Sequence, residues 1–336
     1  MKVLVLVDPE SIHPEDPQFE NGHESTLTEV EYHVPEALRH LGHEVSVLPF
    51  DPNILTTIHE IKASAPQLIF NLTEHYSGNR QMDLHIVALL DMLHLPYTST
   101  SPTGLMLCRH KGICKRILGH HRVKIPTFVT VPLGKARVTK RLRYPIIVKP
   151  VMEDGSDGIS LSSLVHNEQE LKERIIQVHE RMKQATICEE FIEGQELYVG
   201  ILGNKRLHVL PPREIAFDHH DVSGPIIATS KVKRDEAYRK KWKITYRHAE
   251  LDPVLEKRVA KIGKRIYRLL QLKDYGRIDL RVTPEKEIYF LEANPNPDLS
   301  MGDKVAEAAE KAGIHYSQLI DRILRLAIKR KTLHKS

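Results

Sequence analysis

The chain has 336 residues, 41% of them hydrophobic and 28% charged, with a formal net charge of +5. That length predicts two or three domains, and the composition is ordinary for a soluble globular enzyme. The mild basic excess does not point to nucleic acid, because an anionic small ligand suits it equally; no apolar run approaches the roughly 18 residues that a membrane-spanning helix needs.

The segment MKVLVLV opens the chain as a short buried strand, too short for a signal peptide. A polar loop from Asp8 to about Ser25 leads into a helical stretch, where Thr28 and Glu31 have capping-box spacing. Pro35 is expected to kink or restart that helix, and Gly42 ends it. HEVSVLPF and PQLIFNL read as two further strands, and Gln81–Leu95 as an amphipathic helix. This βαβ rhythm implies a parallel sheet covered by helices. After Ser101 the pattern changes. LMLCRHKGICKRIL reads as one helix. FVTV and YPIIVKP read as strands, followed by the loop EDGSDG and a strand ISLSS. A helix over 167–184 leads to the strands ATICEEF and ELYVGIL. Cys108, Cys114 and Cys188 show neither CxxC pairing nor zinc spacing and read as reduced thiols of a cytoplasmic protein. The twenty histidines form no HExxH cluster. Residues 224–247 carry eight basic side chains and read as a mobile segment. Asp252 and Pro253 then start a helix that places Leu255, Val259, Ile262, Ile266 and Leu269 on one face.

The most informative segment is GRIDLRVTPEKEIYFLEANPNPDLS. A hairpin symmetric about the turn Pro284–Glu287 sets Asp279 opposite Glu292 and Arg277 opposite Asn294. Residues two apart share a face, so these four form one polar cluster. Ile278, Leu280, Val282, Tyr289, Leu291 and Ala293 form the opposite, core face. Two carboxylates directly opposite each other, with Cβ atoms about 5 Å apart, destabilise the pair. A hard divalent cation between them reverses the sign. Two carboxylates with an amide oxygen, and no nearby His or Cys, suit Mg²⁺ (or Mn²⁺) bound together with substrate phosphates.

At this point the sequence resembles the ATP-grasp superfamily, and within it the D-alanine–D-alanine ligase family. The RxD…ExN signature is Arg277, Asp279, Glu292 and Asn294. HKGICK is similar to the family's DKxxxK helix, YPIIVKP to its phosphate-lysine strand, and CEEFIEGQELYVGIL to its hinge and ribose-binding strand. PYTST and AGIHYSQLIDRIL also match in order. The resemblance implies an α/β protein with α+β elements. Residues 1–103 would be an N-terminal parallel-sheet domain, and 104–192 and 193–330 two α+β subdomains clasping ATP, followed by a basic tail, 331–336. It implies an ATP- and Mg²⁺-dependent ligase that joins a carboxylate donor to an amine acceptor through an acyl phosphate, acting on small molecules such as amino acids. Neither nucleic acid nor membrane is an expected partner, and a homodimer is allowed. The same scaffold also serves kinases, and a non-catalytic ATP-binding regulator is a third reading.

The resemblance also implies residue roles. Lys115, or Lys111 in its place, and Lys149 would contact phosphates. Glu189, Glu190, Phe191 and Ile192 would present backbone groups to adenine, and Glu196 would hold the ribose hydroxyls. Arg277 would stabilise the charge that develops during transfer. Ser156 keeps the second serine of the family's GSSxG loop, whose first serine is replaced here by Gly155. Glu29 matches the glutamate that contacts the first substrate's amine. The family's tyrosine-containing loop is replaced by the basic segment, which reads either as a flexible lid over the triphosphate or as a solvated basic helix. After Asn294, Asp298 and Asp303 stand where the family has a glycine and a serine that help grip the acceptor's carboxylate. Two acids there favour a cationic acceptor.

Overall fold

The computed structural model describes residues 1–20, 29–138, 141–153, 158–218 and 227–334. Its first unit contains β1 (Lys2–Val7), α1 (Val30–His40), β2 (Glu44–Pro49), α2 (Ile54–Ser64), β3 (Leu68–Asn71) and α3 (Asp83–Met92). The strands form a parallel sheet ordered β2-β1-β3. β1 is central and buried on both faces, which is why it reads as a continuous apolar run. α1 starts at Val30 with Glu29 as its N-cap residue, while Thr28 lies outside the described residues. Pro35 neither breaks nor restarts it, because a proline there removes a single helical donor and is otherwise accommodated among buried residues.

The second unit holds α4 (Pro102–Arg109), α5 (Lys111–His120), β4 (Phe128–Val131), β5 (Ile146–Pro150), β6 (Leu164–Val165), α6 (Glu168–Met182) and β7 (Thr186–Glu190), with an antiparallel sheet ordered β4-β7-β5-β6. The single helix expected over LMLCRHKGICKRIL is two. His110 interrupts it and caps α5, its ring accepting the N–H of Ile113. The expected strand ISLSS is instead a 3₁₀ turn at Leu161–Ser163, because its serines bond one another's backbone locally rather than joining the sheet.

The third unit holds β8 (Gln195–Leu202), β9 (His208–Val209), β10 (Arg213–Phe217), α7 (Ser230–Arg234), α8 (Glu236–Lys241), β11 (Ile244–His248), α9 (Pro253–Leu269), β12 (Tyr275–Val282), β13 (Ile288–Asn294), α10 (Lys304–Lys311) and α11 (Tyr316–His334). Its sheet runs β11-β10-β8-β12-β13, with β9 beside β8. Where it is described, the basic segment is built structure. Thr229 and Asp235 cap α7 and α8, and Val232 is fully buried with Tyr198, Ile215 and Ile244. α9 packs Leu255, Val259 and Ile266 on the back of this sheet. α10 and α11 return to the first unit, where Leu319, Ile320 and Ile323 share one core with β1 and α1.

Candidate active site

The β12–β13 hairpin has the expected register at its functional end: Asp279 pairs with Glu292 and Arg277 with Asn294. The register shifts between Asp279 and Leu280, so that Leu280 faces Phe290. This bulge corrects the expected core face. Ile288 and Phe290 are buried in the core behind the sheet, while Leu291 lines the cleft and its carbonyl accepts a hydrogen bond from Lys115 at 2.8 Å. On the polar face, the Arg277 guanidinium donates to both Asp279 oxygens at 2.7 and 3.0 Å, and Asn294 donates to the second at 3.2 Å. Burial raises the Asp279 carboxyl's pKa although Arg277 opposes it. Burial also pushes Glu292 up, but Lys233, Lys111, Lys149 and Arg277 outweigh it and hold that carboxyl at about 2. Lys233 of α7 stands 3.8 Å from Glu292.

These residues form one wall of a cleft between the second and third sheets. It is an open cleft lined, among others, by Ile147, Lys149, Phe191, Ile192, Glu196 and Arg281. Lys149 comes from β5 and bonds Glu189 of β7 at 3.2 Å. Burial alone would lower its pKa, yet Glu189, Glu292 and Glu196 leave it raised. Lys115 is fully buried behind Glu189, 3.4 Å from its other oxygen, and burial lowers its pKa. The Glu189 carboxylate is therefore committed to two lysines. Glu190 points to Arg143 at the edge, and its N–H and that of Phe191 bond the carbonyls of Thr127 and Pro145. Ile192 keeps its N–H without a partner among the described residues. The turn that follows requires glycine at 194: a Cβ there would lie 2.1 Å from the Val282 carbonyl oxygen.

A second cavity meets the cleft at Lys233 and reaches the first unit through Thr73, Glu74, Arg80 and Asp83. Its charges are paired: Arg80 with Glu74 at 2.9 Å, Arg109 with Asp83, and Lys304 with Asp303 at 2.9 Å. Asp298 is exposed on its wall and accepts from the N–H and hydroxyl of Ser300 at 2.7 and 2.6 Å. Asp303, not Asp298, is the N-cap residue of α10.

A family model described as D-ala D-ala ligase C-terminus matches residues 130–325, more than half the chain. The chain belongs to the D-alanine–D-alanine ligase family. The D-alanine–D-alanine ligase of Aquifex aeolicus is 30% identical over 294 residues, covering 87% of this chain and 92% of its own. An uncharacterised protein, y4sG, of Sinorhizobium fredii is 32% identical over 311 residues, covering 88% and 87%. The fold matches the crystal structure of the D-alanine–D-alanine ligase from Bacillus anthracis complexed with ATP, with a TM-score of 0.76 at 20% identity over 99% of this chain and 100% of that one. The architecture is the ATP-grasp fold, and the protein is an ATP-dependent carbon–nitrogen ligase that forms an amide bond.

In this family member, Lys149, Glu189, Glu190, Phe191, Ile192, Glu196, Asp279 and Glu292 all line the cleft, and Arg277 and Asn294 line the adjoining cavity. Lys115 supports Glu189 from behind rather than lining the cleft. The Lys111 ammonium bonds the Glu153 carbonyl, and its charge helps hold the Glu292 carboxyl down. Glu29 is exposed at the start of α1, outside the lining of either cavity. Ser156 and Gly155 lie outside the described residues. Two residues at the centre were not singled out from the sequence. Arg281 follows Asp279 by two positions and so had to share its face, a signal already present in the RxDxR spacing. Lys233 was hidden among the basic side chains of its segment. Among the described residues no helix is long and apolar enough to cross a membrane.

Proposed function

We propose that this ligase activates a carboxylate substrate with Mg²⁺-ATP and transfers the acyl group to a cationic amine acceptor. The observation that carries the reading is the Asp279–Glu292 pair, set at the junction of the two cavities and surrounded by Arg277, Lys149 and Lys233. Among the described residues no three His, Cys, Asp or Glu side chains gather as a metal site. Two carboxylates and an amide still fit a cation that keeps substrate phosphate oxygens as its remaining ligands. Bound there, Mg²⁺ would neutralise the β- and γ-phosphates.

The residues divide the remaining work. Lys149 and Lys233 would pair with phosphate oxygens. The donor's carboxylate oxygen attacks the γ-phosphorus and ADP leaves, giving an acyl phosphate. A neutral amine of the acceptor then attacks its carbonyl carbon, and inorganic phosphate leaves, taking up the proton that the nitrogen sheds as the amide forms. Arg277, whose remaining donors line the second cavity, would stabilise the charge on the transferring phosphoryl and on the tetrahedral centre. The walls of the cavity must exclude water from the acyl phosphate while it waits for the amine.

The acceptor class is supported by the pairing in the second cavity. Away from the metal-type carboxylates, Arg80, Arg109 and Lys304 each have a carboxylate partner in the protein, whereas Asp298 has no ion-pair partner among the described residues. An acceptor carboxylate 4 Å from Asp298 would meet a repulsion between about 1 kcal/mol in water and about 4 at an effective dielectric of 20. An ammonium there gains instead. D-alanine should therefore be a poor acceptor beside a diamine or a basic amino acid. The test is phosphate release with Mg²⁺-ATP across pairs of carboxylates and amines, with product masses. Phosphate release that needs both substrates supports the ligase; D-alanyl-D-alanine as the main product in competition with lysine and a diamine refutes the acceptor class. Phosphate retained on the product would favour the kinase reading.

A further inference from the structure

We infer that Arg281 is the positioning residue of the nucleoside end of the cleft, holding Glu196 for the ribose hydroxyls and so selecting ribonucleotides over deoxyribonucleotides. This rests on reading the cleft as the ATP site. The order along the sheet follows from the register. Asp279 pairs with Tyr198, and Arg281 with Glu196, on adjacent strands. Residues two apart on a strand share a face and lie about 7 Å apart. With phosphates at Asp279, Lys149 and Lys233, the sugar falls one such step further, beside Arg281 and Glu196, and the base beyond it against Phe191.

Three residues meet on the Arg281 guanidinium. One terminal nitrogen bonds Glu196 Oε2 at 2.5 Å, and the other donates to the Ile192 carbonyl at 3.1 Å. The guanidinium carbon lies 5.3 Å from the centre of the Phe191 ring. The side chain is 8% exposed, so these contacts are made out of bulk water. Tyr198 donates its hydroxyl to the other Glu196 oxygen at 2.9 Å. A carboxylate has about four acceptor positions. Two are used here, which fixes the rotamer and leaves two for a pair of neighbouring hydroxyls. The same guanidinium fixes the Ile192 carbonyl, in the segment whose Ile192 N–H has no partner among the described residues. A flexible glutamate would lose this advantage to rotamer entropy and hydration. Arginine suits the role because one planar group can serve two acceptors and a ring at once; lysine cannot.

The experiment measures binding of ATP, 2′-deoxy-ATP and 3′-deoxy-ATP with Mg²⁺ to the full chain by calorimetry, in wild type, Arg281→Met and Arg281→Lys. Hydrogen bonds to a charged group predict that wild type prefers ATP over each deoxy form by roughly tenfold or more. In Arg281→Met the ATP affinity should fall by about that factor, with the deoxy forms changing less than about threefold, so that the preference collapses. Arg281→Lys should be intermediate and serves also if the Met variant does not fold. A preference kept at the wild-type ratio in either variant, or an equal loss for all three nucleotides, overturns the inference and leaves the cleft reading standing. Failure of wild type to bind ATP overturns both.

Discussion

Replacing Glu292 by Gln removes one charge from the centre of the site while keeping the shape of the side chain. Glu292 is ionised at neutral pH, since its carboxyl is held at about 2. Without a cation, the substitution relieves repulsion with Asp279 across the hairpin and loses the attraction of Lys233, Lys111, Lys149 and Arg277. The attraction wins, because the carboxyl sits at about 2 rather than 4.5, and a shift of that size corresponds to about 3 kcal/mol of folded-state stability. The variant should therefore remain folded but melt several degrees below wild type. With a divalent cation the balance changes. The lost carboxylate–cation attraction is nominally about 8 kcal/mol, twice that of a unit pair about 4 Å apart at an effective dielectric of about 20. Even if dehydration cancels half of it, about 4 kcal/mol remains, or roughly a thousandfold in turnover. The assay is phosphate release at limiting and saturating Mg²⁺, with thermal unfolding measured without nucleotide. Near wild-type turnover at limiting Mg²⁺ would refute the metal assignment. A collapse of thermal stability would show instead that Glu292 serves the fold.

Lys149→Ala should weaken ATP binding roughly ten- to a hundredfold by calorimetry, through loss of a charge-assisted contact of about 1.5–3 kcal/mol. Unchanged binding would place Lys149 outside the phosphate site. Asp274 is fully buried 3.3 Å from Arg330, and burial pushes its carboxyl up to about 6 from 3.8 despite that partner. The unfolded chain therefore loses this proton first, and the stability it contributes below about pH 4 is lost as pH rises to about 6, by about 3 kcal/mol. In urea unfolding, the stability of wild type relative to Asp274→Asn should fall by about that amount between pH 4 and pH 7; a difference that does not vary with pH would contradict it.

Much of this site was legible because strand geometry converts spacing into position. Asp279 and Glu292 could be placed opposite each other from the turn alone, and β1 announced itself by burial on both faces. Where the sequence reading stopped, longer-range structure had decided. The bulge between Asp279 and Leu280 moves Leu291 into the cleft and Phe290 into the core, and a strict period of two has no way to signal one extra residue. α7 and α8 are too short to show a helical period, so Lys233 remained one basic residue among many until burial of Val232 fixed its helix against the sheet. Glu189 looked like a hinge residue because its sequence neighbours are; only the convergence of β5, β7 and α5 reveals that two lysines claim its carboxylate. The packing of α11 on β1 joins opposite ends of the chain, which no local pattern records.

The charge pairs at the junction also separate residues that hold the site from residues that work in it. Arg277 and Lys233 are paired with Asp279 and Glu292, the same two carboxylates that suit a divalent cation. Once those carboxylates ligate a cation, both basic side chains lose their partners together and must find other anions nearby, which phosphate and the donor carboxylate supply. Exchange of this kind costs less than desolvating unpaired charges, each of which carries a penalty of several kcal/mol. Lys149 differs: its partner Glu189 remains neutralised by Lys115 on the far side, so Lys149 can turn to a phosphate without leaving a buried carboxylate alone. The fully buried Lys115 thus has a reason to exist away from the cleft. Arg281 differs again, since Glu196 and Ile192 are needed in place while nucleotide is bound, and its pairing should persist. On this reasoning Arg277, Lys233 and Lys149 change partners during the reaction, whereas Lys115 and Arg281 do not.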